Sequence, residues 1–290
     1  MTQEAPRTAR EMLGLARGFL ERKGLGEARL EAELLVGHAL GLDRLRLFME
    51  LDRPVTGAEV DAARDLLVRR GRREPTAYIV GRREFFGRDF LVGAGVLVPR
   101  PETELIVDRA RELARERSEG AAPPAVLDVG TGSGCLAVTL ALELEGAEVH
   151  AVDVSADALG WARRNAEALG AAVRFHEGDG LEVAEGLARS RGRGFDLVVS
   201  NPPYVELRER AELAPEVVEH EPGLALFAPE GAPDHWALEL AARTERLLAP
   251  GGALLVELGH LQAPRLRAAL GDRAVVHDDL AGVPRVLELR

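Results

Sequence analysis

Ala125-Val126-Leu127-Asp128-Val129-Gly130-Thr131-Gly132-Ser133-Gly134 is the stretch on which the fold class turns. A short apolar run ends in a loop with glycine at every second position, and a helical pattern follows. A continuous apolar strand of this kind belongs to a parallel sheet covered on both faces. Downstream the strand–helix alternation repeats, with strands expected at 149–154, from 173 to about 175, at 195–200 and at 253–258. Segments 274–277 and 285–289 read as the last two strands. The expected class is therefore α/β, a doubly wound, mostly parallel sheet.

Upstream of this stretch the period changes. Thr8 and Glu11 form a capping-box pattern, and Met12, Leu15, Ala16, Phe19 and Leu20 fall on one helical face. Gly24 is a natural stop. Further helices are expected over about 27–40, around Leu45, Leu47, Phe48 and Met49, and from a second capping box, Thr56 and Glu59, to near Gly71. Tyr78-Ile79-Val80, Phe85-Phe86 and Phe90-Leu91-Val92, broken by Gly81 and Gly87, suggest a hairpin. Pro99-Arg100-Pro101-Glu102-Thr103-Glu104 leads into a helix that Ala121-Ala122-Pro123-Pro124 ends. The expected organisation is a helical bundle at 1–73, a hairpin linker at 74–98 and a larger α/β domain at 99–290.

Composition narrows the function classes. With 37 Lys and Arg against 48 Asp and Glu, the formal net charge is -11. Holding DNA through its phosphates needs a basic surface, so a dedicated DNA binder is disfavoured and a protein substrate favoured. No apolar run approaches the roughly 20 residues of a membrane span, and residues 1–10 lack the apolar core of a signal peptide. Cys135 is the single cysteine and the seven histidines show no ligand spacing. No intramolecular disulfide can form, no structural zinc is expected, and a cytoplasmic location is the default. Lys23 is the sole lysine, and Asn165 and Asn201 are the sole asparagines.

Glycines in the 130–134 loop let backbone approach a ligand closely. A plain strand-to-helix turn and a dinucleotide site remain alternatives, although G-x-G-x-x-G spacing is absent. The second strand ends at Asp153, an acceptor-only carboxylate that can take both ribose hydroxyls of a nucleoside. A solvent-facing or capping aspartate is the blander reading, and Ser155 and Asp157 beside it look like helix caps. The third strand ends Glu177-Gly178-Asp179-Gly180, where Asp179 could accept from an adenine amine. Gly-Asp-Gly is also a common turn.

The strand at 195–200 ends at Asn201-Pro202-Pro203-Tyr204. A rigid turn explains the prolines but not the flanking Asn and Tyr, two rare residue types in this chain. Chance assembly of the four is on the order of 10⁻⁵ to 10⁻⁴ on composition alone. An amide or aromatic amino nitrogen is planar, with its lone pair delocalised. The Asn201 side-chain oxygen and the Pro202 carbonyl can accept its two N–H groups and favour the electron-rich, pyramidal form. The prolines hold these acceptors in place, and Tyr204 can pack on the flat face of the target. A sulfonium methyl donor, S-adenosylmethionine, needs alignment rather than a general base, and alignment contributes roughly 7–11 kcal/mol. If the strands at 125–129 and 195–200 are neighbours, the two loops face one crevice.

Taken together, these segments resemble the bacterial release-factor glutamine methyltransferases, the HemK/PrmC family. The resemblance runs through Pro75-Thr76-Ala77-Tyr78-Ile79-Val80-Gly81, Pro99-Arg100-Pro101-Glu102-Thr103-Glu104, residues 128–134, Asn201-Pro202-Pro203-Tyr204, Glu221-Pro222 and Asp279-Leu280-Ala281-Gly282-Val283-Pro284-Arg285. It implies a Rossmann-like class I methyltransferase domain with a mostly parallel seven-stranded sheet. It also implies that Gly130, Thr131, Gly132, Ser133, Gly134, Asp153, Asp179, Gly180 and Asn201 hold S-adenosylmethionine. Asn201, Pro202, Pro203 and Tyr204 would bind substrate, with Asn201, Pro202 and Tyr204 catalytic and no metal. The implied partners are peptide-chain release factors, methylated at the glutamine of a Gly-Gly-Gln motif, with no stable nucleic-acid partner and no membrane. The helical bundle would grip the release factor or only stabilise the larger domain. Where the family usually carries a glycine-rich Asp-Gly pair, this chain reads Ala228-Pro229-Glu230-Gly231-Ala232-Pro233-Asp234-His235-Trp236. Two other readings stay open: an adenine amino methyltransferase acting on DNA or RNA, and a non-catalytic cofactor-binding or ribosome-interaction protein.

Overall fold

The computed structural model describes residues 6–116 and 122–290. The expected stop at Ala121 and the start of the 1–10 segment lie outside them. The chain divides into two compact units, one comprising residues up to Arg82 together with Ala214–His220, the other Arg83–Leu213 and Glu221–Arg290.

The first unit is helical: α1 (Ala9–Arg22), α2 (Ala28–Leu40), α3 (Arg44–Met49), α4 (Gly57–Gly71) and α5 (Thr76–Val80), joined by the short helix Pro215–His220. Leu20, Leu35, Leu47, Ala63 and Ile79 fill its core. The α4 capping box is reciprocal: Glu59 N–H donates to Thr56 Oγ1 at 3.3 Å and Thr56 N–H donates to Glu59 Oε2 at 2.8 Å. At α1 only half of the expected box forms. Thr8 Oγ1 accepts from Glu11 N–H, but the Glu11 carboxylate accepts from Arg7 N–H at 2.7 Å. Residues 78–80, expected as strand, are the end of α5, because Pro75 starts a helical turn and Gly81, at φ 79°, stops it. Arg70 is buried, and its guanidinium donates to both Glu31 oxygens at 2.8 and 2.9 Å and to Glu216 at 2.6 Å. A charge out of water needs such pairing.

The second unit opens within the hairpin of β1 (Arg82–Phe85), whose first residue closes the first unit, and β2 (Arg88–Leu91). Phe86 and Gly87, both at positive φ, make its two-residue turn. Phe85 and Phe90 are fully buried and meet edge to face at 5.9 Å. Next come α6 (Glu104–Glu116), β3 (Ala125–Val129), α7 (Cys135–Glu143), β4 (Glu148–Asp153), α8 (Ala156–Leu169), β5 (Val173–Glu177), α9 (Gly180–Ser190), β6 (Phe195–Ser200), β7 (Leu248–Glu257), β8 (Val275–Asp278) and β9 (Pro284–Leu289). The seven-stranded sheet runs β5-β4-β3-β6-β7-β9-β8. Pairing is parallel from β5 through β7, and β9 lies antiparallel to both β7 and β8. β7 starts five residues before the expected strand because Leu248 also pairs, with Phe195. Two apolar layers cover the faces. One includes Ile106, Ala110, Leu136, Leu140 and Ala166, from α6, α7 and α8. The other includes Leu181, Ala184, Leu240, Leu247 and Leu266, from α9 and the later helices. Strand order reverses between β3 and β4 on one side and β3 and β6 on the other, which opens a crevice at the carboxyl ends of β3 and β6.

Candidate active site

β3 and β6 are neighbours, with Leu127 opposite Val198 and Asp128 opposite Val199. The glycine loop and the Asn-Pro-Pro-Tyr loop therefore leave the same sheet edge, as expected if those strands pair. Ser200 Oγ donates to the Val129 carbonyl at 2.7 Å and ties the two strand ends together. A pocket opens beyond this edge. Its wall includes Gly130, Thr131, Gly132 and Ser133, then Asp153, then Gly180 and Leu181, then Asn201, Pro202 and Pro203. Arg100, Thr103 and Trp236 also line it, while Gly134, Asp179 and Tyr204 are set back from the wall.

The glycine loop is held by its backbone. Gly130 and Thr131 N–H both donate to the Val152 carbonyl, at 2.9 and 3.1 Å, and Gly134 N–H donates to the Thr131 carbonyl at 2.8 Å. Gly134 must be glycine: its φ is 80°, and a Cβ would stand 3.0 Å from that of Ala162. Gly132 N–H donates to Asp153 Oδ2 at 2.8 Å, and Ser155 N–H donates to Oδ1 at 2.9 Å. Each Asp153 oxygen is thus fixed by one backbone N–H and keeps acceptor capacity toward the pocket. Ser155 also caps α8.

Asp128 lies beneath the loop, fully buried. Its Oδ2 accepts from Thr131 Oγ1 at 2.6 Å and from Ala137 N–H at 3.1 Å, while Oδ1 has no partner among the described residues. Burial pushes its pKa up to about 7 against those two bonds. Asp179 is the N-cap of α9, with Oδ1 accepting from Leu181 and Glu182 N–H at 3.0 and 3.1 Å. The pocket wall at that end is made by Gly180 and Leu181 instead.

At the other end sits a buried polar chain. Asn201 Nδ2 donates to Thr103 Oγ1 at 3.0 Å, and Thr103 Oγ1 donates to Glu257 Oε2 at 2.5 Å. Tyr204 Oη donates to Glu257 Oε1 at 3.2 Å. Thr103 and Glu257 are almost fully buried. Burial raises the Glu257 pKa to about 7, although the bonds from Thr103 and Tyr204 oppose it. Burial, with the nearby Glu257 charge, also raises the Tyr204 phenol. The Tyr204 ring lies against Gly259, where a Cβ would stand 2.9 Å from the ring. Among the described residues, neither Asn201 Oδ1 nor the Pro202 carbonyl accepts a hydrogen bond. Glu221 braces the wall nearby, accepting from Val98 N–H at 3.0 Å and Arg100 Nη2 at 2.7 Å.

Glu257 was not singled out from the sequence, and Arg100, Thr103, Asp128 and Glu221 were quoted only within the segments that carry the resemblance, with no role of their own. The available signal for Glu257 is a lone carboxylate in the apolar run 253–258, since a buried charge almost always has a specific partner. Asn201 and Glu257 lie 98 and 154 residues from Thr103 in the chain, so only the fold brings the three together.

Family comparisons cover both units. Residues 11–81 match the PrmC N-terminal domain, and residues 106–224 match the methyltransferase small domain. The release factor glutamine methyltransferase of Chlorobaculum tepidum is 46% identical over 274 residues, covering 93% of this chain and 92% of the relative. That of Geobacter sulfurreducens is 46% identical, covering 88% and 86%, and that of Deinococcus radiodurans is 40% identical, covering 97% and 98%. The chain belongs to the release factor glutamine methyltransferase family. It is a methyltransferase whose second unit has the Rossmann-like class I fold. Among solved structures, the hMettl16 catalytic domain in complex with MAT2A 3′UTR hairpin 1 superposes with a TM-score of 0.54 at 16% identity, covering 82% of this chain and 83% of that one. The same domain in complex with hairpin 6 gives a TM-score of 0.53 at 18% identity, covering 78% and 81%. At such identities the likeness is one of fold. No helix among the described residues is long and apolar enough to cross a membrane.

Proposed function

We propose that this family member transfers a methyl group from S-adenosylmethionine to the side-chain amide nitrogen of the glutamine in the Gly-Gly-Gln motif of peptide-chain release factors, in the cytoplasm, and so modulates translation termination. The observation that carries the reading is the pair of unengaged acceptors, Asn201 Oδ1 and the Pro202 carbonyl, at the same sheet edge as the glycine loop.

The residues present fit the cofactor. The 130–133 backbone lines the pocket, with open space where a Cβ would stand at Gly130 and Gly132. The fixed Asp153 carboxylate suits a ribose diol. Residues 130–134, Asp153, Gly180 and Asn201 would hold the cofactor, with Asp179 ordering the turn before Gly180. When bound, S-adenosylmethionine supplies a methyl group already activated on a sulfonium.

The remaining work falls to the chain. Asn201 Oδ1 and the Pro202 carbonyl accept the two N–H groups of the target amide, hold its nitrogen and favour the pyramidal form. Pro202 and Pro203 keep the acceptors preorganised. Tyr204, anchored to Glu257 and set against Gly259, stiffens the loop from behind the pocket wall. No base is needed before transfer, because the amide proton becomes acidic only after methylation. The helical bundle at 1–73 docks the release factor, with the hairpin region 74–98 as linker to the catalytic domain at 99–290.

The test is mass spectrometry of a purified, unmethylated release factor incubated with this protein and S-adenosylmethionine. One added methyl mapped to the Gly-Gly-Gln glutamine is expected. No methyl on the release factor, with methylated adenine in a DNA or RNA control, would overturn the reading.

A further inference from the structure

The two asparagines of this chain are wired in opposite ways. Asn165 is fully satisfied: Nδ2 donates to the Leu91 and Ser133 carbonyls at 3.0 and 2.9 Å, and Oδ1 accepts from Leu91 N–H at 2.7 Å. Asn201 makes a single bond, Nδ2 to Thr103 Oγ1. What fixes that bond lies further back. Thr103 has one hydroxyl proton, and with Glu257 ionised the 2.5 Å contact commits it to Glu257 Oε2, which as a carboxylate can only accept. Toward Asn201 the threonine can then only accept. Asn201 must present its NH₂ to Thr103, which turns Oδ1 the other way.

We infer that Thr103 and Glu257 are positioning residues that set the direction of the Asn201 side-chain amide, so that its oxygen rather than its nitrogen meets the substrate N–H. The inference rests on the proposed function for what Oδ1 accepts, but the wiring itself does not. The direction matters because a reversed amide would aim two donors at a group that is itself a donor. The carboxylate adds a second effect. Hydrogen bonds in series polarise one another, so an anionic Glu257 strengthens Asn201 Oδ1 as an acceptor. Tyr204 Oη occupies the other Glu257 oxygen, and the charged groups facing the carboxylate are Glu102, which raises its pKa, and Arg285, which lowers it. A charge lost as pH falls through about 7 takes this polarisation with it.

Having only two asparagines makes the wiring directly observable. Selective ¹⁵N labelling of asparagine side chains gives two NH₂ pairs, and the Asn201 pair is the one absent from Asn201→Ala. Thr103→Val is expected to move the Asn201 pair, leave the Asn165 pair in place, and lower kcat about 10- to 100-fold through misplacement. Thr103→Ser restores both the resonance and most of kcat. Glu257→Gln keeps the geometry, lowers kcat about threefold to tenfold through lost polarisation, and flattens the acid limb of the kcat–pH profile. S-adenosylhomocysteine binding by calorimetry, retained in each variant, reports an intact pocket. Thr103→Val with the Asn201 pair at its wild-type position and kcat within about twofold of wild type would overturn the inference, as would Glu257→Gln with unchanged kcat and pH limb. Wild-type protein that transfers no methyl to a release factor overturns the function alone, because the resonances still read the amide direction.

Discussion

Asn201 and Asp153 both line one pocket, the proposed function gives them different work, and their variants should fail differently. In the proposed reaction Asn201, held through its Nδ2 by Thr103, offers the target a single oriented oxygen. Asn201→Ala removes one preorganised polar group, so the rate should drop at least about 10²-fold with the fold and much cofactor binding retained. Steady-state kinetics with calorimetry checks this, and near-normal turnover would remove Asn201 from its role. Asp153 instead presents a carboxylate locked by Gly132 and Ser155 N–H. Asp153→Ala should weaken S-adenosylhomocysteine binding by about 1.5–3 kcal/mol through lost charge-assisted bonds. Unchanged calorimetric affinity would count against it. The places of both on the pocket wall were legible in the sequence because each stands at the end of an apolar strand. The link from Thr103 to Glu257 was not, because a hydroxyl and a carboxylate acquire meaning only from partners distant in the chain.

Loops between strands and helices carry the site, and their conformations are set by a few backbone demands. The 130–134 loop places three glycines at positive φ, and at Gly134 α8 closes the space as well. Gly134→Ala should therefore destabilise the protein by about 1–3 kcal/mol and loosen the loop. Urea unfolding is the measurement, and a midpoint equal to wild type would show that α8 yields at little cost. Local patterns predicted the elements unevenly for physical reasons. The α4 capping box formed because Arg53 takes Glu59 Oε1 and leaves Oε2 to the Thr56 N–H, whereas Glu11 found the Arg7 N–H one residue before the cap. Residues 78–80 read as strand because three β-formers stand together, but a strand there would need a pairing partner. The chain instead closes a helical turn between Pro75 and Gly81.

At the scale of the molecule, ion pairs join segments that the chain keeps far apart. Glu288 on β9 is buried and accepts from Arg109 Nε at 2.6 Å, Arg290 Nε at 2.7 Å and, with the ring nitrogen, His277 at 2.8 Å. Burial would raise its pKa, but these partners outweigh it and hold it at about 2. A depressed carboxylate stabilises the fold above its unfolded pKa, and that contribution is lost as pH falls from about 4.5 through about 2. Unfolding free energy should decline across this window. Glu288→Gln should flatten the decline and lower stability near neutral pH by about 1–3 kcal/mol, because Arg109 loses its buried partner. Urea titrations at several pH values check both, and a Glu288→Gln profile matching wild type would refute the assignment.

By itself the sequence determined the class of sheet, the position of nearly every strand, the helical character of the first unit and the two loops that meet at the pocket. Those features are written locally, in apolar runs, caps, glycines and prolines, and local rules suffice to read them. The tertiary structure alone decided that β3 and β6 are neighbours and that β9 turns antiparallel beside β7. It also joined Asn201 to the chain from Thr103 to Glu257. Hydrogen bonds between residues about a hundred positions apart leave no periodic trace in a sequence, because they are fixed only when the strands that carry them pair.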